Sequence, residues 1–195
     1  SACTPMMAFQ AVLNVFLAKL TGETEVRLAT LGATRNRAQL EDVVGLFLNT
    51  VILCNDLSGR HTFRDIMCQT RDTVLEAYEN LDLPFEKIIE ALTSQSGRQQ
   101  QELLQVLFLY HPATPPAKAI AGLTIRQLDF KDFDSSQVTL TSFDLIFGAR
   151  EKDQELEISL VYKCDLFDAD LIETMLWQFR KLAADVVALP DTEMA

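Results

Sequence analysis

The segment Gly45-Leu-Phe-Leu-Asn-Thr-Val-Ile-Leu-Cys54 narrows the choice of fold more than any other. It is a dense apolar run with one polar pair, Asn49 and Thr50, at its middle. Side chains alternate between the two faces of a strand, so a run apolar at successive positions calls for cover on both faces. The expectation is a central strand in a sheet with helices on either side. The Asn49 carboxamide, set in so apolar a run, needs hydrogen-bond partners.

The flanking segments supply the rest of such a fold. Thr4 and Pro5 open a helix whose Phe9, Val12, Leu13, Phe16, Leu17 and Leu20 recur at helical spacing, and Gly22 closes it. Residues 24–30 alternate as a half-buried strand, with Val26, Leu28 and Thr30 on one side and Glu25 and Arg27 on the other. Asn36 to Leu40 reads as a loop leading to a short acidic turn. Thr62 opens a long helix to about Tyr78, with Phe63, Ile66, Met67, Val74 and Tyr78 on its apolar stripe. Asp82-Leu-Pro-Phe-Glu86 begins another, with an acidic cap and Pro84 in the first turn, running to about Leu92. Thr93 to Gln101 reads as a mobile loop, and Pro112 to Pro116 as a stiff connection. Strands are expected at 103–110 and 123–130, and an antiparallel pair at 143–149 and 156–162 around Glu151 to Gln154. Asp168 caps a last helix carrying Leu171, Met175, Trp177, Phe179 and Leu182, which Pro190 stops. The order is mixed α/β rather than a regular βαβ repeat. There is no internal repeat and no clean domain break; the least defined boundary lies at Ser135-Ser136.

With 195 residues the chain suits one domain or one large lobe of something bigger. Apolar residues make up 48% and charged residues 23%, which excludes disordered and fibrous classes. No apolar run approaches the roughly 18 residues of a membrane span, and no basic-then-apolar leader opens the sequence. Seventeen Lys and Arg against 28 Asp and Glu give a net charge of −11 with no basic stripe. Nucleic acid and anionic membrane are therefore not expected as partners. Cys3, Cys54, Cys68 and Cys164 are widely spaced without a CxxC pair, so reduced and mostly buried thiols in a cytoplasmic chain are expected.

Catalytic signatures are absent: no GxSxG, P-loop, GxGxxG or HExxH occurs. The only histidines, His61 and His111, have neither metal-ligand spacing nor a neighbouring nucleophile, so no metal and no catalytic residue is assigned. His61 reads as an exposed or capping residue before a helix. The paired acids Glu41-Asp42 and Asp168-Asp170 read as caps and solvated faces.

Several linear motifs say more. Val44-Gly-Leu-Phe-Leu-Asn-Thr50 resembles the "hydrophobic-G-x-F-x-N-T" element of nonribosomal peptide synthetase condensation domains. Asp82-Leu-Pro-Phe-Glu86 resembles the tail of their "HQDLPFE" element, and Leu104-Gln-Val-Leu-Phe108 the strand after it. Phe143-Asp-Leu145 resembles their "FDL" strand, and Leu160 to Asp168 their "LEYxxDLFD" segment. Thr30 to Arg35 is a weaker likeness of "GTPxAGR". The elements follow the family's order across nearly the whole chain.

The resemblance implies a chloramphenicol acetyltransferase-like mixed sheet flanked by helices, as a single lobe of a two-lobe domain. Residues 1–195 resemble the C-terminal lobe; the family's "HHxxxDG" histidine motif belongs to the N-terminal lobe and is absent. The complete domain forms amide bonds between a carrier-tethered acyl or peptidyl donor and an aminoacyl acceptor, in a tunnel between the lobes. Its implied partners are the N-terminal lobe and the donor and acceptor carrier proteins. No cofactor is bound directly; phosphopantetheine arrives on the carriers. Asn49 matches the family Asn on the tunnel wall, placed to bond substrate or the pantetheine arm. Arg35 matches the Arg that forms an inter-lobe salt bridge with the Asp of the histidine motif, which implies a solvated Arg35 here. Asp82, Pro84, Phe85 and Glu86 match as cap, first turn and core, and Asp144 as the residue ordering a strand end.

The chain departs from the pattern at Ala29 and Leu31 (family Gly and Pro), at Asn80-Leu81 (family His-Gln) and at Cys54 (family Arg). Those changes motivate an alternative, a non-catalytic module that recruits a carrier protein. Epimerization and heterocyclization domains share the scaffold; the Leu104 to Phe108 segment is more like true condensation domains. A free-standing CoA-dependent acyltransferase of this fold needs an HxxxD motif, which is absent.

Overall fold

The computed structural model describes residues 3–35, 37–59, 61–97, 104–113, 143–152 and 155–194. Helix α1 (Pro5–Thr21) starts and stops where its end residues dictate. The Thr4 hydroxyl accepts from the Met7 N–H at 3.3 Å, and Gly22, at φ 76°, closes the helix through its N–H to Ala18 O at 2.8 Å. Met7 and every residue from Phe9 to Leu17 are buried, so α1 is the central helix rather than a surface one. Leu20, the last of the apolar series, lies exposed.

The sheet has strands β1 (Glu25–Ala33), β2 (Leu48–Asp56), β3 (Val106–His111), β4 (Leu145–Lys152) and β5 (Glu155–Tyr162), in the order β2-β1-β3-β4-β5. β1, β3 and β4 run parallel, and the outer strands β2 and β5 run antiparallel to their neighbours. Among the described residues the apolar run is thus an edge strand, not the central strand expected. Only the inner half of β2 has the predicted cover: Val51 and Leu53 are buried against Met7 and Val74. Leu48 is exposed, as are Val44 and Leu46 before it. In β1 the expected alternation holds, with Val26, Leu28 and Thr30 buried and Glu25 and Arg27 outside.

Helices α2 (Phe63–Glu79) and α4 (Ala169–Ala188) pack beside α1 on one face of the sheet. Thr62 and Asp65 form a reciprocal capping box that starts α2. Phe9, Phe16, Phe108, Phe147 and Phe179 interlock between α1, α4 and the sheet, with ring centroids 5.1–6.2 Å apart. The end of the chain folds back over the start of α2: Arg64 N–H donates to Pro190 O, Met194 N–H to His61 O, and Arg64 forks onto Asp191 at 2.7 and 3.2 Å. On the other face, Ala29, Leu104, Leu107 and Phe143 form a smaller cluster that Phe85 joins from α3 (Phe85–Ser96).

Several local expectations need correction. Pro84, not Asp82, holds the N-cap position of α3, with no side-chain cap bond. That helix runs through Thr93, whose hydroxyl bonds back to Ile89 O at 2.8 Å, and ends at Gly97 with φ 67°, so the first residues of the expected loop are helical. Asp168 occupies the N-cap of α4 without a side-chain cap bond, and Leu171 and Trp177 point to solvent. Glu151 and Lys152 belong to β4 rather than to a turn. All four cysteines are free as expected, but none is buried: Cys54 and Cys164 are exposed and Cys3 and Cys68 half-buried. The expected strand at 123–130, the Ser135-Ser136 boundary and most of the Pro112 to Pro116 connection lie outside the described residues.

Candidate functional site

Because β1, β3 and β4 are parallel, their C-terminal ends share one edge of the sheet, and β2 begins there. The candidate residues divide between this edge and the opposite one. Asn49 pairs in register with Gly32 at the end of β1. Its side chain reaches the loop between α2 and α3: Nδ2 donates to Leu81 O at 2.9 Å and Leu83 O at 2.7 Å, and Oδ1 accepts from Phe85 N–H at 3.3 Å. Both amide donors are therefore engaged by the chain's own backbone, with one lone pair of Oδ1 left. Asn49 thus ties two family-like elements together, the edge strand and the Asp82 to Glu86 segment. Gly32 contributes by being small, since a Cβ there would collide with the Leu81 side chain. Asn49, Thr50, Ile52, Leu81 and Leu83 help to line a recess of about 140 Å³.

Arg35 lies just beyond β1, at the same corner. It is exposed, yet not simply solvated. Its guanidinium donates to Leu40 O and to Glu41 O, and it stacks over the Phe47 ring at 4.2 Å from the centroid. Thr34 N–H donates to Phe47 O at 2.8 Å, which fixes the return of the chain into β2. The short 3₁₀ turn Ala38–Leu40 and residues 41–47 thus form a strap tied down by Arg35. Along it, Val44 is fully exposed and Leu46 is 85% exposed.

Within the Asp82 to Glu86 segment, Phe85 is half-buried in the minor core, while Asp82, Pro84 and Glu86 are exposed. Glu86 sits in the first turn of α3, where a carboxylate favours the helix dipole. Asp144 lies at the opposite edge of the sheet and is not part of the corner. It orders the start of β4, with Lys163 Nζ on its Oδ1 at 2.6 Å and Lys163 N–H on its carbonyl at 3.1 Å.

Two residues at the C-terminal edge escaped sequence reasoning. The Tyr110 hydroxyl donates a short hydrogen bond to Glu151, and Ala113 N–H donates to the same carboxylate at 3.2 Å. Glu151 is held below the ordinary carboxylate range by the Tyr110 bond first and the Ala113 bond second. The Tyr110 phenol is raised, by desolvation first and then by Glu151. No sequence signal links the two; only the β3–β4 register does. His111 ends β3 exposed, and His61 Nε2 donates to Ser58 O at 2.7 Å, far from this edge. Although Cys54 is exposed, the strand packing around its Sγ desolvates the thiol enough to raise it, with Arg27 opposing, so it is no activated nucleophile. Among the described residues, no group of three or more His, Cys, Asp or Glu is placed to hold a metal ion. No helix among them is long and apolar enough to cross a membrane.

The corner combines an edge strand, a clamped loop and an exposed apolar strap, and among the described residues it sets no base beside a nucleophile. The family model described as "Condensation domain" matches residues 1–195. The chain belongs to the condensation-domain family. A linear gramicidin synthase of Brevibacillus parabrevis is 33% identical over 185 residues, which is 95% of this chain and 4% of that protein. Chondramide synthase cmdD of Chondromyces crocatus is 33% identical over 187 residues, 96% of this chain and 5% of that one. Among solved structures, the condensation domain from monacolin K polyketide synthase MokA aligns with a TM-score of 0.80 at 17% identity, covering 98% of this chain and 43% of that one. The X-domain in complex with OxyB from teicoplanin biosynthesis aligns at 0.79 and 23% identity, covering 100% and 42%. This condensation-family chain therefore has the expected mixed α/β fold and spans under half of the solved chains it matches.

Proposed function

We propose that the chain is the C-terminal lobe of a peptide synthetase condensation domain, and that it forms one wall of the tunnel in which carrier-tethered substrates are joined. The observation that carries this reading is the mismatch of lengths. The family match runs from end to end, yet the chain covers 43% of a solved condensation domain. The strap supports it, because Val44 and Leu46 stand in solvent beside Arg35 and Asn49, where an N-terminal lobe would cover them.

In the reaction, the acceptor amine nitrogen attacks the donor carbonyl, a C–N bond forms as the C–S bond breaks, and the donor's pantetheine thiol leaves. The histidine motif comes from the other lobe, and both thioesters arrive on carrier proteins in the cytoplasm. This chain contributes shape and fixed hydrogen bonding. Asn49 keeps the Leu81 to Phe85 wall in place and offers its remaining Oδ1 lone pair to the tunnel. Arg35 turns from the Leu40 and Glu41 carbonyls to the Asp of the histidine motif when the lobes meet.

The test mixes the chain with a separately produced N-terminal lobe bearing the histidine motif, acyl-loaded donor carrier and aminoacyl-loaded acceptor carrier. Product is read by intact mass. Transfer only with both lobes present is expected. Carrier binding by this chain alone, with no transfer under any combination, would favour the recruitment reading. The occupied amide of Asn49 and the departures at Ala29, Leu31, Asn80 and Cys54 motivate that second reading.

A further inference from the structure

Helix α4 carries a large side chain that its packing does not explain. The inward stripe of Ile172, Met175, Phe179 and Val186 is buried and complete. At about 100° per residue, Trp177 lies about 160° around the helix from Phe179 and points outward. It is 63% exposed and is the only tryptophan of the chain. An indole held in water is the kind of side chain that anchors protein interfaces.

The surroundings of the ring specify a partner. Trp177 shares the outward face of α4 with Asp170, Glu173 and Thr174, and the four side chains border a shallow recess open to solvent. The Thr174 hydroxyl is spent on Asp170 O at 2.9 Å, which leaves two exposed carboxylates and the indole as the chemistry on offer. From the following turn, Lys181 holds its Nζ 5.5 Å from the ring centroid, so the chain already uses the ring as a seat for a cation. Asp165 and Asp168, both exposed, extend the negative field ahead of the helix, in a chain of net charge −11. A guanidinium suits this recess better than an ammonium, because one planar group stacks on the indole and forks onto carboxylates together.

We infer that the recess at Asp170, Glu173 and Trp177 is a docking site for an arginine-bearing segment of a partner protein domain. The guanidinium lies against the indole and pairs with the two carboxylates. This inference does not depend on the lobe assignment above.

The single tryptophan makes the test direct. The 195-residue chain is titrated at low salt with an alanine-based helical peptide carrying two arginines one turn apart, and with the same peptide carrying citrulline. A saturable change in tryptophan emission is expected with arginine, with affinity at least about tenfold weaker for citrulline. The double variant Asp170→Asn, Glu173→Gln, checked for unchanged far-ultraviolet circular dichroism, should weaken arginine binding by a similar factor. Calorimetry on Trp177→Ala should show the same loss. Equal affinity for the two peptides, no saturable change, or indifference to the carboxylate variants would overturn the inference. So would an emission change that follows the concentration of the chain itself with a doubled mass, since a second copy would then own the face.

Discussion

The two sides of this molecule spend their apolar residues differently. Around α1 the chain supplies its own cover. Phe9 and Phe16 meet Phe108, Phe147 and Phe179, and α2 and α4 close both flanks. At the corner of β1 and β2 it does not: Val44, Leu46 and Leu48 face solvent while Arg35 and Asn49 hydrogen-bond the surrounding backbone. An apolar surface held in place by polar clamps is how a preorganised wall for something outside the chain would be built. On the proposed reading the fold rests on the α1 side and partner contact on the strap, with Asn49 serving both, and substitutions should tell them apart.

The sharpest break is expected in the core. Phe179→Ala removes the ring that touches Phe9, Phe16 and Phe147, and should cost about 4 kcal/mol in urea unfolding. A loss below about 1 kcal/mol would mean the aromatic cluster does not organise the fold. Asn49→Ala comes next. It strands two carbonyls and one N–H in a loop half-buried at Leu81 and Phe85 and exposed between them, for an expected loss of about 1–2 kcal/mol. The same variant in a two-lobe domain should also lower turnover. Loss of stability with turnover unchanged would leave Asn49 a clamp with no tunnel role. Leu46→Ser inverts the pattern: stability within about 0.5 kcal/mol of the parent, but weakened association with an N-terminal lobe by analytical ultracentrifugation. Undiminished association would separate the strap from the lobe interface.

Legibility in the sequence follows the same division. Helix starts were readable where a capping side chain is present, as at Thr4 and Thr62, and strands where burial alternates, as in β1. Asp82 and Asp168 look like caps in the letters, but the backbone enters α3 through Pro84, and the Asp168 side chain makes no cap bond. The apolar run at Gly45 to Cys54 misled because a string of letters records hydrophobic need without saying who meets it. An edge strand with exposed apolar residues reads like a central one. The corner itself was legible only through family-like motifs: Asn49 and Arg35 could be named, but the carbonyls that hold them lie 32 and 5 residues away and carry no sequence signal. The Tyr110–Glu151 contact depends wholly on β3–β4 register.

The smallest effect expected is on acid stability, and it too separates the two sides. On the helical side, Asp65 is held below the ordinary carboxylate range by the Thr62 hydroxyl first and the Thr62 N–H second, and Asp191 by its bond from Arg64. A carboxylate with a depressed folded pKa binds its proton less readily in the folded chain than in the unfolded one. Its contribution is therefore present above the unfolded value, near 4, and is lost as pH falls through the folded value. The bonds that Arg35 and Asn49 make at the corner run to backbone carbonyls and a backbone N–H, none of which titrates. Urea midpoints taken from pH 7 down to 3 should therefore fall less steeply in Asp191→Asn than in the parent, because the variant has already lost the titrating partner of Arg64. Asn49→Ala should shift the whole curve down without changing its slope. Parallel curves for the parent and Asp191→Asn would show that the Arg64 fork is a surface contact without energetic weight. A changed slope in Asn49→Ala would mean the corner is coupled to a titrating group, and the separation between wall and core would fail there.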